Sequence, residues 1–269
     1  MTRSGDGNDI YIIHRDRKGN LWLGGSNGMI RRGRGGETEW YRHTVSPHSL
    51  SHNRVRSILE DSEGRIWLAT DGGINRFDGR NDDFETFDIT DANGRHNSKW
   101  AYSIVENGDS LWTGSFLGGI HLVGKSRLAG GGGTVAADYS LNAETVLPCG
   151  ESLPNDLVND LLEDRDGNLW ILLFQSSSLF RFDLKTGTLR GFDIKTLAGG
   201  LPSHITLDGR GRVWCAFNGG AAVFNADGTF RVVRFPYSNS DEGVLAMENV
   251  GDDMWVSTQS NVWSIDGDS

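Results

Sequence analysis

Six tryptophans recur at nearly fixed spacing, and no other feature of the chain narrows its folding options as much. Trp22, Trp67, Trp112, Trp170, Trp214 and Trp255 sit in matching contexts, separated by 45, 45, 58, 44 and 41 residues. The second copy shows the unit most clearly. Val55–Asp61 reads as a first strand, Asp61-Ser62-Glu63-Gly64 as a turn, and Arg65–Thr70 as a second strand. Asp71-Gly72-Gly73 turns into a third strand, Ile74–Phe77, and Phe84–Ile89 supplies a fourth. Alternation with period two, β-branched and aromatic content and short glycine-bearing turns mark an antiparallel meander. A repeat of about 40–45 residues holding four such strands is one blade of a radial array.

The turns carry specific chemistry. The first ends in glycine in four copies (Gly19, Gly64, Gly167, Gly211), where a hairpin loop needs positive φ. The aspartate before it can accept backbone hydrogen bonds within the turn. A glycine doublet marks the second turn as Gly24-Gly25, Gly72-Gly73, Gly118-Gly119 and Gly219-Gly220. In the fourth and sixth copies Ser176-Ser177-Ser178 and Ser260-Asn261 replace it. Each tryptophan is expected to fill the space between neighbouring sheets, so all six are assigned to the core.

The expected fold is all-β: a β-propeller of four-stranded antiparallel blades, with six repeats forming an incomplete seven-bladed or open propeller. The blades are placed at 9–44, 53–90, 100–141, 156–195, 203–236 and 243–266 of a single domain. The long gap places an insertion at 124–150, with Gly130–Gly133 as a flexible connection and Ala136–Leu141 as the third blade's outer strand. The sixth copy ends at its third strand, Val262–Ile265, so the chain is expected to be a fragment.

Composition removes several function classes. The net charge is −10 with no block of lysines or arginines, which opposes nucleic-acid binding. No apolar run approaches the roughly 20 residues that span a bilayer, and the polar stretch Met1–Asp9 lacks the apolar core of an export signal. Cys149 and Cys215 form no metal-ligand spacing; Cys215, beside Trp214, reads as a buried thiol, and a disulfide between them stays open. The glycine of Asp164-Arg165-Asp166-Gly167-Asn168 falls at position four, where a calcium loop needs it at six, so the segment reads as a turn. His43, His48 and His52 share a loop without further ligands at zinc spacing. No metal or cofactor is therefore assigned.

The core pattern Ile58-Leu59-Glu60-Asp61 through Trp67 to Gly72-Gly73-Ile74-Asn75-Arg76-Phe77 resembles the two-component-regulator propeller repeat, as does Leu161–Trp170. Copies one and three match moderately, and five and six loosely. The resemblance implies the periplasmic sensor part of a hybrid two-component regulator of the Bacteroidetes type. It further implies an oligosaccharide ligand, and as partners the rest of a sensor-kinase chain and a homodimer. This sequence departs from that pattern in having six repeats and no kinase, DNA-binding or membrane segment.

Catalysis is weighed against binding on the same residues. Sialidase-type boxes place aspartate five residues before tryptophan, where this chain has Ser62 and Arg165. Most carboxylates recur at one turn position, which marks them as scaffold, and a glycosidase pair would have to stand outside the repeat. The chain is therefore read as a non-catalytic binding propeller, with a propeller lyase or glycoside hydrolase and a protein-interaction propeller as alternatives. Candidate ligand contacts are the repeat-breaking residues of the loops that enter each first strand or join the second and third. They are His52, Asn53, Asp71, Trp100, Tyr102, Phe116, Asn155, Phe174, Gln175, His204, Phe217, Asn218 and Gln259.

Overall fold

The computed structural model describes residues 9–148, 150–235 and 243–266. Every tryptophan-marked copy folds as its own antiparallel sheet, giving the all-β propeller architecture that the repeat predicts. The first blade is Ile10–Arg15, Leu21–Gly25, Gly28–Arg32 and Thr38–Tyr41, and the second Val55–Glu60, Ile66–Thr70, Gly73–Asp78 and Asp83–Thr90. The third is Ala101–Asn107, Ser110–Ser115, Gly119–Gly124 and Tyr139–Leu141. The fourth runs Val158–Glu163, Asn168–Leu173, Ser178–Asp183 and Thr188–Asp193, and the fifth Pro202–Leu207, Val213–Phe217, Gly220–Phe224 and Phe230–Arg234. The sixth has three strands among the described residues: Val244–Val250, Asp253–Thr258 and Val262–Asp266. The chain packs as two compact units, one of Met1–Thr145 with Asn155–Asn159, the other of Val146–Pro154 with Asp160–Ser269.

The turn aspartate holds the blade together more fully than its sequence position suggests. Asp61 Oδ1 accepts the backbone N–H groups of Glu63 and Arg65, at 3.0 and 2.9 Å. Its Oδ2 accepts Arg65 Nε at 2.7 Å and the indole N–H of Trp67 at 2.8 Å. Asp16, Asp164 and Asp208 take the N–H of Trp22, Trp170 and Trp214 in the same way. A buried indole must place its one donor somewhere, and the repeat supplies the acceptor six residues upstream. Burial alone would raise the Asp61 carboxyl, but the Trp67 and Arg65 hydrogen bonds hold it below the ordinary carboxylate value.

The residue paired with the one just before the tryptophan reaches the preceding blade. Glu60 accepts the backbone N–H of Arg17 at 2.9 Å, and Glu106 accepts that of Ser62 at 2.8 Å. Asn249 takes the same role toward Gly209, at 2.9 Å. The tryptophans then pack toward the following blade: Trp67 sits in a cluster with Ile104 and Leu111, and Trp214 in one with Met247 and Val256.

Three expectations need correction. Trp255 is not core: it is 44% exposed, whereas the other five repeat tryptophans are at most 2% exposed. Trp22, Trp67, Trp170 and Trp214 each pack in a core cluster with residues of the following blade, and no sheet follows that of Trp255 among the described residues. Gly133–Ala136, expected as connection and outer strand, pairs in parallel with Phe87–Thr90 as a fifth strand on the second blade. Only Tyr139–Leu141 closes the third blade. Gly24-Gly25 belongs to a strand, the turn beyond it being Ser26-Asn27. Cys215 is fully buried, and that burial pushes its thiol pKa up; Cys149 lies outside the described residues.

Candidate functional site

A repeated irregularity positions the site. In five blades the first strand slips register against the second, leaving Tyr11, Arg56, Tyr102, Ser203 and Leu245 unpaired at equivalent places. A β-bulge re-aims the side chain it carries. In the first unit this sets Tyr11, Arg56 and Tyr102, one from each of three blades, side by side. The Arg56 guanidinium lies 4.3 Å from the Tyr102 ring centroid and 5.6 Å from that of Tyr11. Such contacts stabilise by about 0.5–2 kcal/mol and hold the planar groups in register.

The row continues through the third blade. Tyr102 meets Phe116 at 5.8 Å between centroids with planes 30° apart, and Phe116 meets Trp100 at 6.1 Å. Trp100 is 49% exposed and has φ of 55°, a conformation that costs a bulky residue energy. Its carbonyl accepts the N–H of Phe116, fixing the two loops together. Five planar groups, Trp100, Phe116, Tyr102, Arg56 and Tyr11, thus form a ladder along one end of the first unit.

Asp71 anchors the charged rung. Arg56 grips it with a fork, Nε to Oδ1 at 2.9 Å and Nη2 to Oδ2 at 3.3 Å. Arg54 Nη1 reaches the same Oδ2 at 3.3 Å from a half-exposed position. One carboxylate thus faces two guanidinium groups. Stacking surfaces, forked donors and a net positive rung suit recognition of a polar ring better than acid–base chemistry, which needs a carboxyl or imidazole free to exchange a proton.

The structure brings Asp71, Trp100, Tyr102 and Phe116 of the expected contacts into this one cluster. His52 Nδ1 accepts the N–H of Arg54, Asn53 Oδ1 accepts that of His43, and Asn155 Oδ1 accepts that of Leu157. These three shape the loops that carry the site. In the second unit Gln175 is exposed with φ of 57°, Asn218 and Gln259 are exposed, and Phe174 is partly buried. His204 is mostly buried, which lowers its pKa. Phe217 is fully buried in the core with Phe224 and Ala222, so it is packing and not surface.

Sequence reasoning missed Tyr11, Arg54 and Arg56. A signal existed: Tyr11 and Arg56 lie five residues before the turn aspartates Asp16 and Asp61, where Ser203 precedes Asp208 by the same interval. The variable position between regular neighbours is the bulge. The three histidines do not converge: His43 bonds the Leu50 carbonyl and His48 lies near Asp83. Among the described residues no group of three or more His, Cys, Asp or Glu side chains is placed to hold a metal ion. A cleft of about 830 Å³ at the other end of the first two blades is lined by Asp16, Trp22, Arg31, Arg65, Arg76 and Glu85 among others. Asp16, Trp22 and Arg65 serve the turn hub, and Arg76 pairs with Glu85, so the cleft belongs to the scaffold.

Comparison with known proteins places this architecture. The family model described as two component regulator propeller matches at residues 4–27, 49–72 and 152–174. An extracellular domain from B. thetaiotaomicron, BT4673, described as part of a one-component or hybrid two component system, superposes with a TM-score of 0.88 at 33% identity. That match covers 98% of this chain and 36% of the other. The chain belongs to the two-component regulator propeller family. The extracellular domain of BT3049 from the same organism matches with a TM-score of 0.74 at 21% identity, covering 98% of this chain and 34% of that one. A streptogramin B lyase matches at 0.69 and 16% identity, over 95% of this chain and 82% of the enzyme. These last two likenesses are of fold. No curated protein sequence matches the chain. No helix among the described residues is long and apolar enough to cross a membrane.

Proposed function

We propose that this propeller is the ligand-binding part of an extracytoplasmic sensor of the hybrid two-component type, that it recognises an oligosaccharide, and that it is non-catalytic. The observation that carries the reading is the ladder from Trp100 to Tyr11, aromatic faces and a fixed guanidinium set in line on bulge positions of three blades. Aromatic faces stack on the apolar faces of sugar rings, while Arg54, Arg56 and Asp71 offer donors and acceptors to hydroxyls. The sensor role and periplasmic location draw support from the extracellular domains that this chain resembles. Signalling would then depend on the rest of a longer chain, of which this propeller spans about a third by comparison with its relatives.

The test is isothermal titration against a panel of purified oligosaccharides, with the wild type beside Tyr102→Ala and Trp100→Ala. A binding saccharide is expected to lose on the order of tenfold or more in affinity with either variant, since each removes a stacking face. Binding that ignores both substitutions would place the ligand elsewhere. Turnover of any panel member by the wild type would overturn the non-catalytic reading.

A further inference from the structure

We infer that the ligand carries a carboxylate, as a uronic acid does, and that Arg54 receives it; this rests on the reading of the ladder as the sugar site. The chain as a whole is acidic, at −10, yet the aromatic ladder carries two arginines against one aspartate. That local excess of positive charge has no counterion in the cluster. Arg56 is saturated on its forked edge by Asp71, and its flat faces are occupied by Tyr11 and Tyr102. Arg54 differs. It touches Asp71 through Nη1 alone, is 46% exposed, and bonds no other acceptor among the described residues. A guanidinium with Nε and Nη2 to spare is a fork for a planar carboxylate. The Arg56–Asp71 pair already shows a carboxylate seated on such a fork in this place.

A sugar ring resting on the ladder beside the Tyr11–Arg56–Tyr102 rung would bring a substituent within reach of that fork. A neutral sugar would leave the positive charge uncompensated, whereas an acidic one neutralises it. Exposed ion pairing is screened by salt, so affinity for the acidic sugar should fall as ionic strength rises.

The test compares an oligogalacturonate, its carboxyl-reduced neutral counterpart and a sulfated oligosaccharide of similar length, each titrated into wild type, Arg54→Ala and Tyr102→Ala. The expected result is preference for the oligogalacturonate by about tenfold or more, lost in Arg54→Ala and weakened by added salt. Arg54 is exposed, so its replacement is expected to leave the melting temperature unchanged. Equal binding of the acidic and reduced sugars, or indifference to Arg54→Ala, would overturn the inference and leave the oligosaccharide reading standing. So would preference for the neutral or the sulfated sugar. Failure of every saccharide in this set and in the wider panel would sink the parent reading instead.

Discussion

Blades two and three of the first unit are built on the same plan, yet they differ at the turn that precedes the tryptophan and at the buried polar side chain of the third strand. In blade two Asp61 serves its own turn and its own tryptophan. Blade three has a shorter hairpin at Gly108-Asp109, and the residue six before Trp112 is Glu106. In register Glu106 matches Glu60 and not Asp61: it accepts from Lys125 Nζ at 2.6 Å and from the Ser62 N–H and hydroxyl of blade two. Lys125 is only 4% exposed, and its Nζ also reaches Glu63 Oε1 and the Ser62 hydroxyl, each at 3.4 Å. Blade two thus has both the internal Asp61 hub and, through Glu60, a reach to the blade before it, and blade three shares the second of these. Sites arise in such irregular places because the scaffold there no longer prescribes the side chains.

The largest effect should come from breaking the borrowed contact. Glu106→Ala leaves a buried ammonium with only the two longer contacts to Glu63 and Ser62 and is expected to cost about 3–5 kcal/mol. Asp61→Ala orphans the Trp67 indole and two turn N–H groups and should cost about 2–3 kcal/mol. Urea unfolding of both variants would decide the order. Adding Lys125→Met to Glu106→Ala should restore most of the loss, because it removes the stranded charge. A double variant no more stable than the single would show that Glu106 acts mainly on the Ser62 turn.

A second comparison concerns equivalent buried polar side chains. Asn75 in blade two bonds the Ser51 N–H and hydroxyl and lies within reach of Thr70 and Thr86. His121 takes its place in blade three, fully buried, with Nδ1 on the Ser140 hydroxyl and Nε2 meeting no hydrogen-bond geometry among the described residues. Burial, the dominant cause, lowers its pKa from 6.5 to about 4. The group is therefore neutral in the folded chain where the unfolded chain would take a proton. Its contribution is fully present above pH 6.5 and is lost as pH falls toward 4, by about 3 kcal/mol. Asp91, lowered to about 2 despite its burial by bonds from His96 and Arg95, acts in a more acidic window. Asparagine at 121 would have Ser115 and Ser140 where Asn75 has Thr70 and Thr86. The difference in stability between His121→Asn and wild type should thus swing toward the variant between pH 6.5 and 4. Parallel pH profiles would refute the assignment.

What could be read from residues alone divides along the same line. Asp61, Trp67 and Gly73 repeat because local backbone geometry demands them, and local demands are visible as spacing. Tyr11 and Arg56 carried only a faint spacing signal, five residues before the turn aspartate, because a bulge is a property of register between two strands. Trp255 matched the repeat yet is exposed, since burial depends on a neighbouring sheet and not on its own strand. The parallel pairing of Gly133–Ala136 with Phe87–Thr90 was hidden for a similar reason. A glycine run has no side-chain pattern from which a partner can be inferred. Of the candidate site, Asp71, Trp100, Tyr102 and Phe116 stood out because they break the repeat where blade three departs from blade two.

The smallest expected effect tests whether that departure stores strain. Blade two joins its second and third strands through Asp71-Gly72, with Thr70 facing Gly73. Blade three has one residue more, Phe116-Leu117-Gly118, between Ser115 and Gly119. The glycine preceding the third strand is required for space in both blades. A Cβ on Gly72 would lie 2.6 Å from the Ser51 carbonyl oxygen, and one on Gly118 would lie 2.0 Å from that of Asn97. Leu117 is the inserted residue, 59% exposed, with φ of 72°. Holding leucine in the left-handed region costs about 1 kcal/mol or more, a cost glycine escapes. Leu117→Gly should therefore raise stability by about 1 kcal/mol in urea unfolding, less what glycine adds to unfolded-chain entropy. If ligand affinity falls in the same variant, the strain is held there to present leucine beside Phe116 and Trp100. Unchanged affinity would make the insertion a spacer that sets only the height of Phe116 in the ladder.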